Sequence, residues 1–272
     1  MKSAPIPRQP RRRALDDPAI PLPIRWYLMA TRHVRDPRVL MRSAPTSTTS
    51  TLEPLTPDDE ARMAGPLLDY MTDAEDALRG AGFAPPFRAT NRRLANGRSC
   101  VSLLEHARGE ALGFVLVSEY RHIGLTATAA FRTDFADGVQ LWTSNSQMPR
   151  RMPRRPNTIT VRLADEHDVG ALYALHAFRV EERARTVPVR RLTRGDDPIA
   201  FQAAEGRETY DFLVKVGYYR PAGPDTIRYT RRGAVLVAWR GLFPWRQIIA
   251  GREAREAAAV RTRFAAASGA RS

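Results

Sequence analysis

The sequence predicts an α+β fold: a helix packed on a five-stranded antiparallel meander, followed by a mainly helical C-terminal half with one β-hairpin. Apolar residues recur at helical spacing over residues 57–80, whereas short β-type segments separated by turn pairs fill residues 87–144. Helical spacing returns after residue 165 and is interrupted once, at residues 218–230. Hydrophobic residues make up 43% of the 272 residues, enough for a buried core.

Changes in composition divide the chain into five predicted segments. These are a basic strap with a Ser/Thr linker, a helix plus meander, a Pro/Arg linker, a helical domain with a hairpin, and a short tail, at residues 1–55, 56–147, 148–157, 158–267 and 268–272. The apolar side chains between Trp26 and Met41 indicate that the strap packs on the folded body. A basic aromatic segment resting on a membrane surface is the alternative.

The helix over 57–80 has clear start and stop signals. Thr56 suits the N-cap, Pro57 suits the first helical position, and Gly80 suits the end. Pro66 predicts a kink or a split inside the run. The apolar stripe consists of Met63, Leu67, Met71, Ala74 and Leu78.

The meander follows as five candidate strands at residues 89–92, 99–105, 112–119, 125–132 and 139–143. Asp137-Gly138 between the last two is a strong hairpin signal, and Asn96-Gly97 is a second turn pair. Consecutive strands joined by tight turns predict antiparallel pairing, and the preceding helix is available to cover one face.

Residues 148–156 repeat one tetrapeptide and are termed the Pro/Arg strip below. Prolines at this density favour an extended, polyproline-like segment that exposes its arginines. The sequence therefore predicts a rigid basic linker between two halves, and a docking strip for phosphates or acidic side chains is the alternative. The arginines concerned are Arg150, Arg151, Arg154 and Arg155.

The C-terminal half is predicted to contain three helical stretches and one hairpin. Val169, Leu172 and His176 share one helical stripe, and Asp197-Pro198 starts a second helix that ends before Gly217. The hairpin spans residues 218–230. A last helical stretch begins at residue 231 and reaches about residue 267, with a break at Pro244.

The positive charge is concentrated at the two ends of the chain. The formal net charge is +14, and residues 1–50 and 198–272 each contribute +7, whereas the middle is neutral. Such an excess favours an acidic macromolecule as partner: nucleic acid, an anionic membrane surface or an acidic protein.

One part of the basic C-terminal end resembles a known DNA-binding module. Over residues 198–243 a helix, Gly217-Tyr-Tyr-Arg, a turn, Ile227-Arg-Tyr-Thr-Arg-Arg-Gly and a further helix resemble the recognition helix, wing and trailing helix of winged-helix domains. The resemblance implies that basic side chains of the first helix and of the wing face phosphates. These side chains are Arg207, Lys215, Arg220, Arg228, Arg231 and Arg232.

The same region supports a second hypothesis, docking at a membrane or protein surface. Val235 and Trp239 share a helical face, and Phe243 and Trp245 flank the break at Pro244. Aromatic residues surrounded by arginines are typical of interfacial anchors and protein-docking faces. The candidate residues are Trp239, Arg240, Phe243, Trp245 and Arg246. The alternative is that the tryptophans complete the core, as buried tryptophan in a closing helix commonly does.

No arrangement of residues indicates a reaction or a metal. His176 is interpreted as a stripe residue with a hydrogen-bonded ring, Cys100 as a small buried side chain, and Ser144 and Asn145 as the remaining candidates for a small-molecule or catalytic pocket. We expect no metal, no cofactor and no assigned catalytic residue, which favours a non-enzymatic binding or scaffold protein. The single cysteine, the lack of an N-terminal secretory signal and the lack of a long apolar run predict a cytoplasmic location. Peripheral membrane association remains an open alternative.

Overall fold

A computed structural model describes residues 46–47, 52–91, 97–120, 124–147, 151–192, 197–242 and 244–269, with backbone alone for the first pair. Most of the predicted strap, the end of the predicted tail, and the candidates Arg150 and Phe243 lie outside these residues. None of the helices in the described ranges is long and apolar enough to cross a bilayer.

The first two helices of the described structure are α1 (Pro57–Ala61), of five residues, and α2 (Gly65–Gly80), of 16 residues. Thr56 and Asp59 form a capping box, in which the Thr56 Oγ1 accepts from the Asp59 N–H and an Asp59 carboxylate oxygen accepts from the Thr56 N–H at 3.1 Å. Pro66 lies in the first turn of α2. The predicted split at this proline is therefore confirmed, since proline is tolerated where the first turn has no intrahelical N–H bond to lose.

An eight-stranded mixed sheet forms the centre of the described structure. Seven of its strands lie in the order β2 to β8, and β9 pairs with the end of β6. Every neighbouring pair is antiparallel except β7–β8, which is parallel. The strands are β2 (Leu52–Pro54), β3 (Phe87–Asn91), β4 (Gly97–Glu105), β5 (Leu112–Tyr120), β6 (Gly124–Phe135), β7 (Gln140–Ser144), β8 (Thr158–Arg162) and β9 (Val189–Arg190).

The remaining elements are four helices and a smaller sheet. The helices are α3 (Val169–Ala184), α4 (Pro198–Lys215), α5 (Arg231–Arg240) and α6 (Trp245–Gly269). The smaller sheet has the strand order β1-β11-β10, with β1 (Thr46–Ser47), β10 (Tyr219–Gly223) and β11 (Thr226–Tyr229). We call this sheet together with α4 and α5 the hairpin module.

The predicted fold class is wrong in its detail, although the α+β class holds. The five predicted strands are present, but β2 precedes them and β8 and β9 extend the same sheet, so the C-terminal half is not a mainly helical unit after a completed meander. The Pro/Arg strip lies in the connection between β7 and β8, which are neighbours in one sheet. A parallel neighbour needs a connection of about a dozen residues or more, and the strip supplies it.

The main core forms between α2, α3 and α6 and the sheet. Buried side chains of α2 and α3 meet buried side chains of β5 and β6, with Val260 of α6 in the same cluster. Fully buried members are Leu67, Met71, Leu78, Val115, Phe131 and Leu172. The predicted apolar stripe of α2 faces this core along its whole length.

A buried ion network attaches α4 to the larger sheet. The Arg132 guanidinium donates to both carboxylate oxygens of Asp134 at 2.7 Å and also to Glu205 of α4. Arg155 of the Pro/Arg strip donates to Glu205 and, at 2.8 Å, to Glu208. The Arg132 and Asp134 side chains are only 4% and 1% exposed. We call Arg132, Asp134, Arg155 and Glu205 the buried ion network; Glu208, which is 66% exposed, contacts it from the surface of α4.

Replacing Asp134 should destabilise the whole fold. Asp134→Ala leaves Arg132 with one carboxylate partner in a site that water does not reach, and removal of one partner of a buried pair is strongly destabilising. We expect a loss of about 3 kcal/mol in the free energy of unfolding. Urea denaturation followed by circular dichroism measures it.

Asp76→Ala is the matched control, because Asp76 pairs with Arg79 on the surface of α2 and both side chains are more than half exposed. The control should cost less than about 0.5 kcal/mol. Equal losses in the two variants would contradict a structural role for the buried ion network.

Candidate binding surface

The hairpin module has a small aromatic core of its own. Tyr219 and Tyr229 lie opposite each other on β10 and β11 with ring centroids 4.5 Å apart, and Tyr210 of α4 meets Tyr219 edge-on at 6.3 Å. Leu213 and Val237 complete this core from the two helices. Burial raises the pKa of the Tyr219 phenol, which stays neutral. The module can therefore hold its outer residues in fixed positions.

The junction between α4, the hairpin and α5 is tight. Gly217 has φ +76° and ends α4, a conformation that side chains rarely adopt. A side chain at Gly233 would meet the carbonyl oxygen of Tyr218 at 2.0 Å, so only glycine allows α5 to approach so closely. Thr230 caps α5 by accepting from the Gly233 N–H at 2.9 Å and donates its hydroxyl to the Gly217 carbonyl at 2.6 Å.

Two arginines lie directly opposite each other on this hairpin. Arg220 of β10 is the register partner of Arg228 of β11, next to the Tyr219–Tyr229 pair. Successive side chains alternate between sheet faces, so both arginines leave the face that carries the tyrosines. Arg220 is exposed, and the Nε of Arg228 is buried without a hydrogen-bond partner among the described residues. Like charges directly opposite each other are destabilising unless an anion separates them.

The hairpin module carries three further basic residues at the ends of its helices. Arg231 and Arg232 occupy the first turn of α5, which contains no acidic residue, and both are exposed. Cations in the first turn oppose the helix dipole, whereas an anion there is stabilised by it. Lys215, also exposed, ends α4 two residues before Gly217. We call Lys215, Arg220, Arg228, Arg231 and Arg232 the basic cluster.

The side chains of the basic cluster have no carboxylate partner among the described residues, in contrast to Arg88, Arg132 and Arg162. Across residues 212–252 the sequence has eight basic residues and one acidic residue, Asp225. Asp225 is paired with Arg207 at 3.6 Å, on a part of the surface where both side chains are about 60% exposed. Elsewhere Arg162 pairs with the buried Glu253 of α6, and Arg261 pairs with Asp165.

The Pro/Arg strip uses its arginines within the chain. Arg155 belongs to the buried ion network, and Arg154 pairs with Glu256 of α6 at 3.4 Å. The carbonyl of Arg151 accepts from the guanidinium of Arg240, which also lies 5.7 Å from the ring of Tyr218. The strip therefore joins α4, α5 and α6 to the sheet instead of presenting all its arginines to solvent.

The tryptophans of the C-terminal end are on the surface. Trp239 is 51% exposed and Trp245 is 43% exposed, so the alternative in which they complete the core is not what the structure shows. Val235 and Ile248 are exposed to a similar extent. We call these four side chains the apolar patch. Arg246 lies beside Trp245 and is partly buried.

The N-terminal end of the chain is joined to the hairpin module through β1. Thr46 and Ser47 pair with Ile227 and Thr226 of β11. The 45 residues before this strand carry ten basic and three acidic residues. The two basic ends of the sequence are thus connected to one module, which no local pattern in the sequence indicated.

The candidates for chemistry are occupied in structural roles. Asn145 accepts from the Ala129 N–H at 2.7 Å and donates to the Glu166 carbonyl at 3.0 Å, and it is only 4% exposed. Burial raises the pKa of the Cys100 thiol to about 11, far from a reactive thiolate. In the described ranges no group of His, Cys, Asp and Glu could hold a metal ion.

The best-defined groove is remote from these residues. It has a volume of about 430 Å³ and lies beside the turn between β4 and β5. Its lining residues are Ala107, Arg108, Glu110, Val189 and Arg191. Neither Ser144, whose Oγ accepts from the Ser146 N–H, nor Asn145 lines this groove.

Comparisons of the chain with protein-family models, curated proteins and solved structures find no match. A function for this chain is therefore argued from the basic cluster, the apolar patch and their surroundings.

His176 provides a pH-dependent test of the core. It is fully buried, its ring nitrogens lie 3.0 Å from the Thr133 hydroxyl and 2.9 Å from the Thr143 hydroxyl, and Arg179 is a nearby cation. Burial, with a contribution from Arg179, holds the pKa of His176 well below its usual 6.5. The unfolded chain therefore binds this proton more readily, and the free energy of unfolding should fall as the pH drops below about 6.5.

The slope approaches about 1.4 kcal/mol per pH unit for one proton. Urea denaturation between about pH 5 and pH 7 should show this slope in the native chain and its loss in His176→Gln, which keeps polar contacts to the two threonines. His106 and His167 are unchanged in both proteins and cancel in the difference. Parallel pH profiles for the two proteins would contradict the buried neutral histidine.

Proposed function

We propose that this chain is a non-enzymatic binding protein that engages an acidic macromolecule through the basic cluster. The observation that carries the proposal is the absence of carboxylate partners for Lys215, Arg220, Arg228, Arg231 and Arg232 among the described residues, on a module whose backbone is tightly constrained. Anionic groups of a partner would supply the negative charge that the described part of the chain does not pair with these residues.

The position of the cluster supports this function physically. Arg220 and Arg228 repel each other at a fixed cross-strand distance, so a bound anion relieves an unfavourable interaction already present in the free protein. Arg231 and Arg232 add the positive end of α5, where backbone N–H groups point outward. Because the module is pre-formed, little conformational entropy is lost on binding.

The N-terminal end adds to the same interaction. Since β1 pairs with β11, the net charge of +7 carried by residues 1–50 is tethered beside the cluster. Tethering raises the effective concentration of these charges at a partner that the cluster has already bound. Long-range attraction between the combined charge and an anionic surface accelerates association at low salt.

The winged-helix interpretation remains a prediction. The basic hairpin favours it, whereas the residues of α4, the candidate recognition helix, favour it less. The exposed face of α4 carries Glu208 and Asp211, which would repel phosphates in a groove. Arg207 on that face is paired with Asp225, and Glu205 is held in the buried ion network. A recognition helix needs free polar side chains along the surface that it presents to bases.

The proposal predicts that binding to a polyanion depends on where positive charge lies, and not only on how much there is. Arg220→Ser with Arg231→Ser and Arg232→Ser should weaken binding to immobilised heparin and lower the slope of log affinity against log salt by about 2–3, one counterion for each lost contact. Elution with a salt gradient and titration at several salt concentrations measure both.

The matched control removes three exposed arginines outside the cluster, in Arg79→Ser with Arg185→Ser and Arg191→Ser. Both triple variants carry a formal charge lower by three, so a charge effect without a site lowers heparin binding equally in both. Equal losses overturn the proposed function, and a larger loss in the cluster variant supports it.

A further inference from the structure

Most of the large apolar side chains that are exposed in the described residues lie in the segment that directly follows the basic cluster in the sequence. Of the six large hydrophobic side chains that are exposed in the described structure, four form the apolar patch: Val235, Trp239, Trp245 and Ile248. The other two, Leu116 and Ile159, lie singly on β5 and β8. Single exposed apolar residues are ordinary, whereas a contiguous set usually marks an interaction surface.

The packing of α5 on the hairpin accounts for the outward position of two patch side chains, Val235 and Trp239. Gly233, Ala234 and Ala238 of α5 are buried against the hairpin, where Gly233 meets the backbone of Tyr218. Val237 is buried on the same face, and the residues at positions i and i+4 on the other face, Val235 and Trp239, are left facing solvent.

The second half of the patch belongs to the first turns of α6. Trp245 and Ile248 lie three residues apart, and Arg252 follows four residues after Ile248 on the exposed side. The buried side of α6 consists of Glu253, Ala257 and Val260. Both helices thus bury one face and present tryptophan and an aliphatic residue on the other.

The segment that carries the patch is rich in positive charge. Residues 226–252 contain six arginines and no acidic residue. Arg231 lies one turn before Val235, and Arg252, which is 77% exposed at the far end, pairs with Glu256 at 3.7 Å. Tryptophan and aliphatic side chains flanked by arginine match the interface of an anionic bilayer, where indoles lie at headgroup depth and arginines contact phosphates.

We propose that the acidic partner is an anionic membrane surface, in which the apolar patch inserts at headgroup depth while the basic cluster contacts lipid phosphates. This inference rests on the proposed function and names its partner class. The two sets are close in the chain, because the cluster and the patch are successive parts of residues 215–248, on the hairpin module and the first turns of α6.

The charge pattern disfavours two other occupants of the patch. If a second copy of the chain covered the patch, the arginines of residues 226–252 in the two copies would lie close together. Repulsion between these like charges opposes such an interface. The chain's own N-terminal end has a net charge of +7 and would meet the same repulsion. Nucleic acid would satisfy the arginines but not the exposed Val235 and Ile248, which have no role in contacting phosphates.

Vesicle flotation tests the inference directly. The full chain should float with vesicles of phosphatidylcholine mixed with phosphatidylglycerol and should remain unbound with phosphatidylcholine alone. Trp239→Ser with Trp245→Ser should weaken partitioning to the mixed vesicles by roughly tenfold, since the affinity of an interfacial segment scales with its buried apolar area. Leu116→Ser with Ile159→Ser, which removes the exposed apolar residues elsewhere, is the matched control and should bind as the native chain does.

A second measurement uses tryptophan fluorescence instead of flotation. Bromine-labelled acyl chains in the mixed vesicles should quench tryptophan fluorescence of the native chain and leave a chain with Trp239→Phe and Trp245→Phe largely unquenched. The inference is overturned if the Trp→Ser variant partitions to the mixed vesicles as well as the native chain does. Tighter binding to duplex DNA than to mixed vesicles, or a lack of quenching, would also overturn it.

The outcomes separate the two proposals. Loss of heparin binding in the cluster variant together with no vesicle binding by the native chain would overturn the membrane inference and leave the proposed function standing. Equal heparin losses in the cluster variant and in its matched control would overturn the proposed function itself.

Discussion

The buried ion network determines where the hairpin module lies. Arg132 and Asp134 belong to β6, Arg155 to the Pro/Arg strip, and Glu205 to α4, so three separate parts of the chain meet in one set of contacts. The opposite charges nearly balance, which is the condition under which charges can be buried at all. Since β10 follows α4 directly, the position of the hairpin depends on this network.

The network also shows how the chain distributes its arginines. Trp142 and Phe201 lie 5.8 Å and 5.7 Å from the Arg132 guanidinium, which is thereby surrounded by aromatic rings as well as carboxylates. Arg88 of β3 is held in the same way by Glu60 and Glu75. Arginines within the larger sheet and its helices are thus largely matched to acids, whereas residues 212–252 contain a single acid to match eight basic residues. The formal charge of +14 is therefore a property of particular surfaces and not of the molecule as a whole.

Local signals in the sequence predicted local structure well. The N-cap at Thr56, the split at Pro66 and the hairpin at 218–230 depend on residues a few positions apart, which a single sequence displays. Strands β8 and β9 were missed, although the β-branched run Thr158–Arg162 is a strand signal, because the Pro/Arg strip before it suggested a boundary. The two residues of β9 are too few to give any periodic signal.

The sequence predicted the residues of the candidate site but not their surroundings, because local signals do not show contacts between distant parts of the chain. The basic residues of the hairpin were identified from their charge. Whether an arginine has a carboxylate partner, however, depends on acids that are far away in the chain: Arg132 and its partner Glu205, for example, are 73 residues apart. Exposure of Trp239 could have been inferred from Gly233 and Ala234, whose small size marks the side of α5 that packs closely. The pairing of β1 with β11 joins residues about 180 apart and has no local signal.

The central claim is that β1 joins the hairpin module by pairing with β11, and a cross-link across these two strands tests it most directly. Ser47→Cys with Thr226→Cys places two thiols at directly opposed positions, where strand geometry brings the Cα atoms within disulfide distance. Mild oxidation should give a fast-migrating intramolecular species on a non-reducing gel. Ser47→Cys with Arg220→Cys, whose second position lies one strand further away on β10, should not cross-link. No cross-link in the first variant, or equal cross-linking in both, would contradict the account.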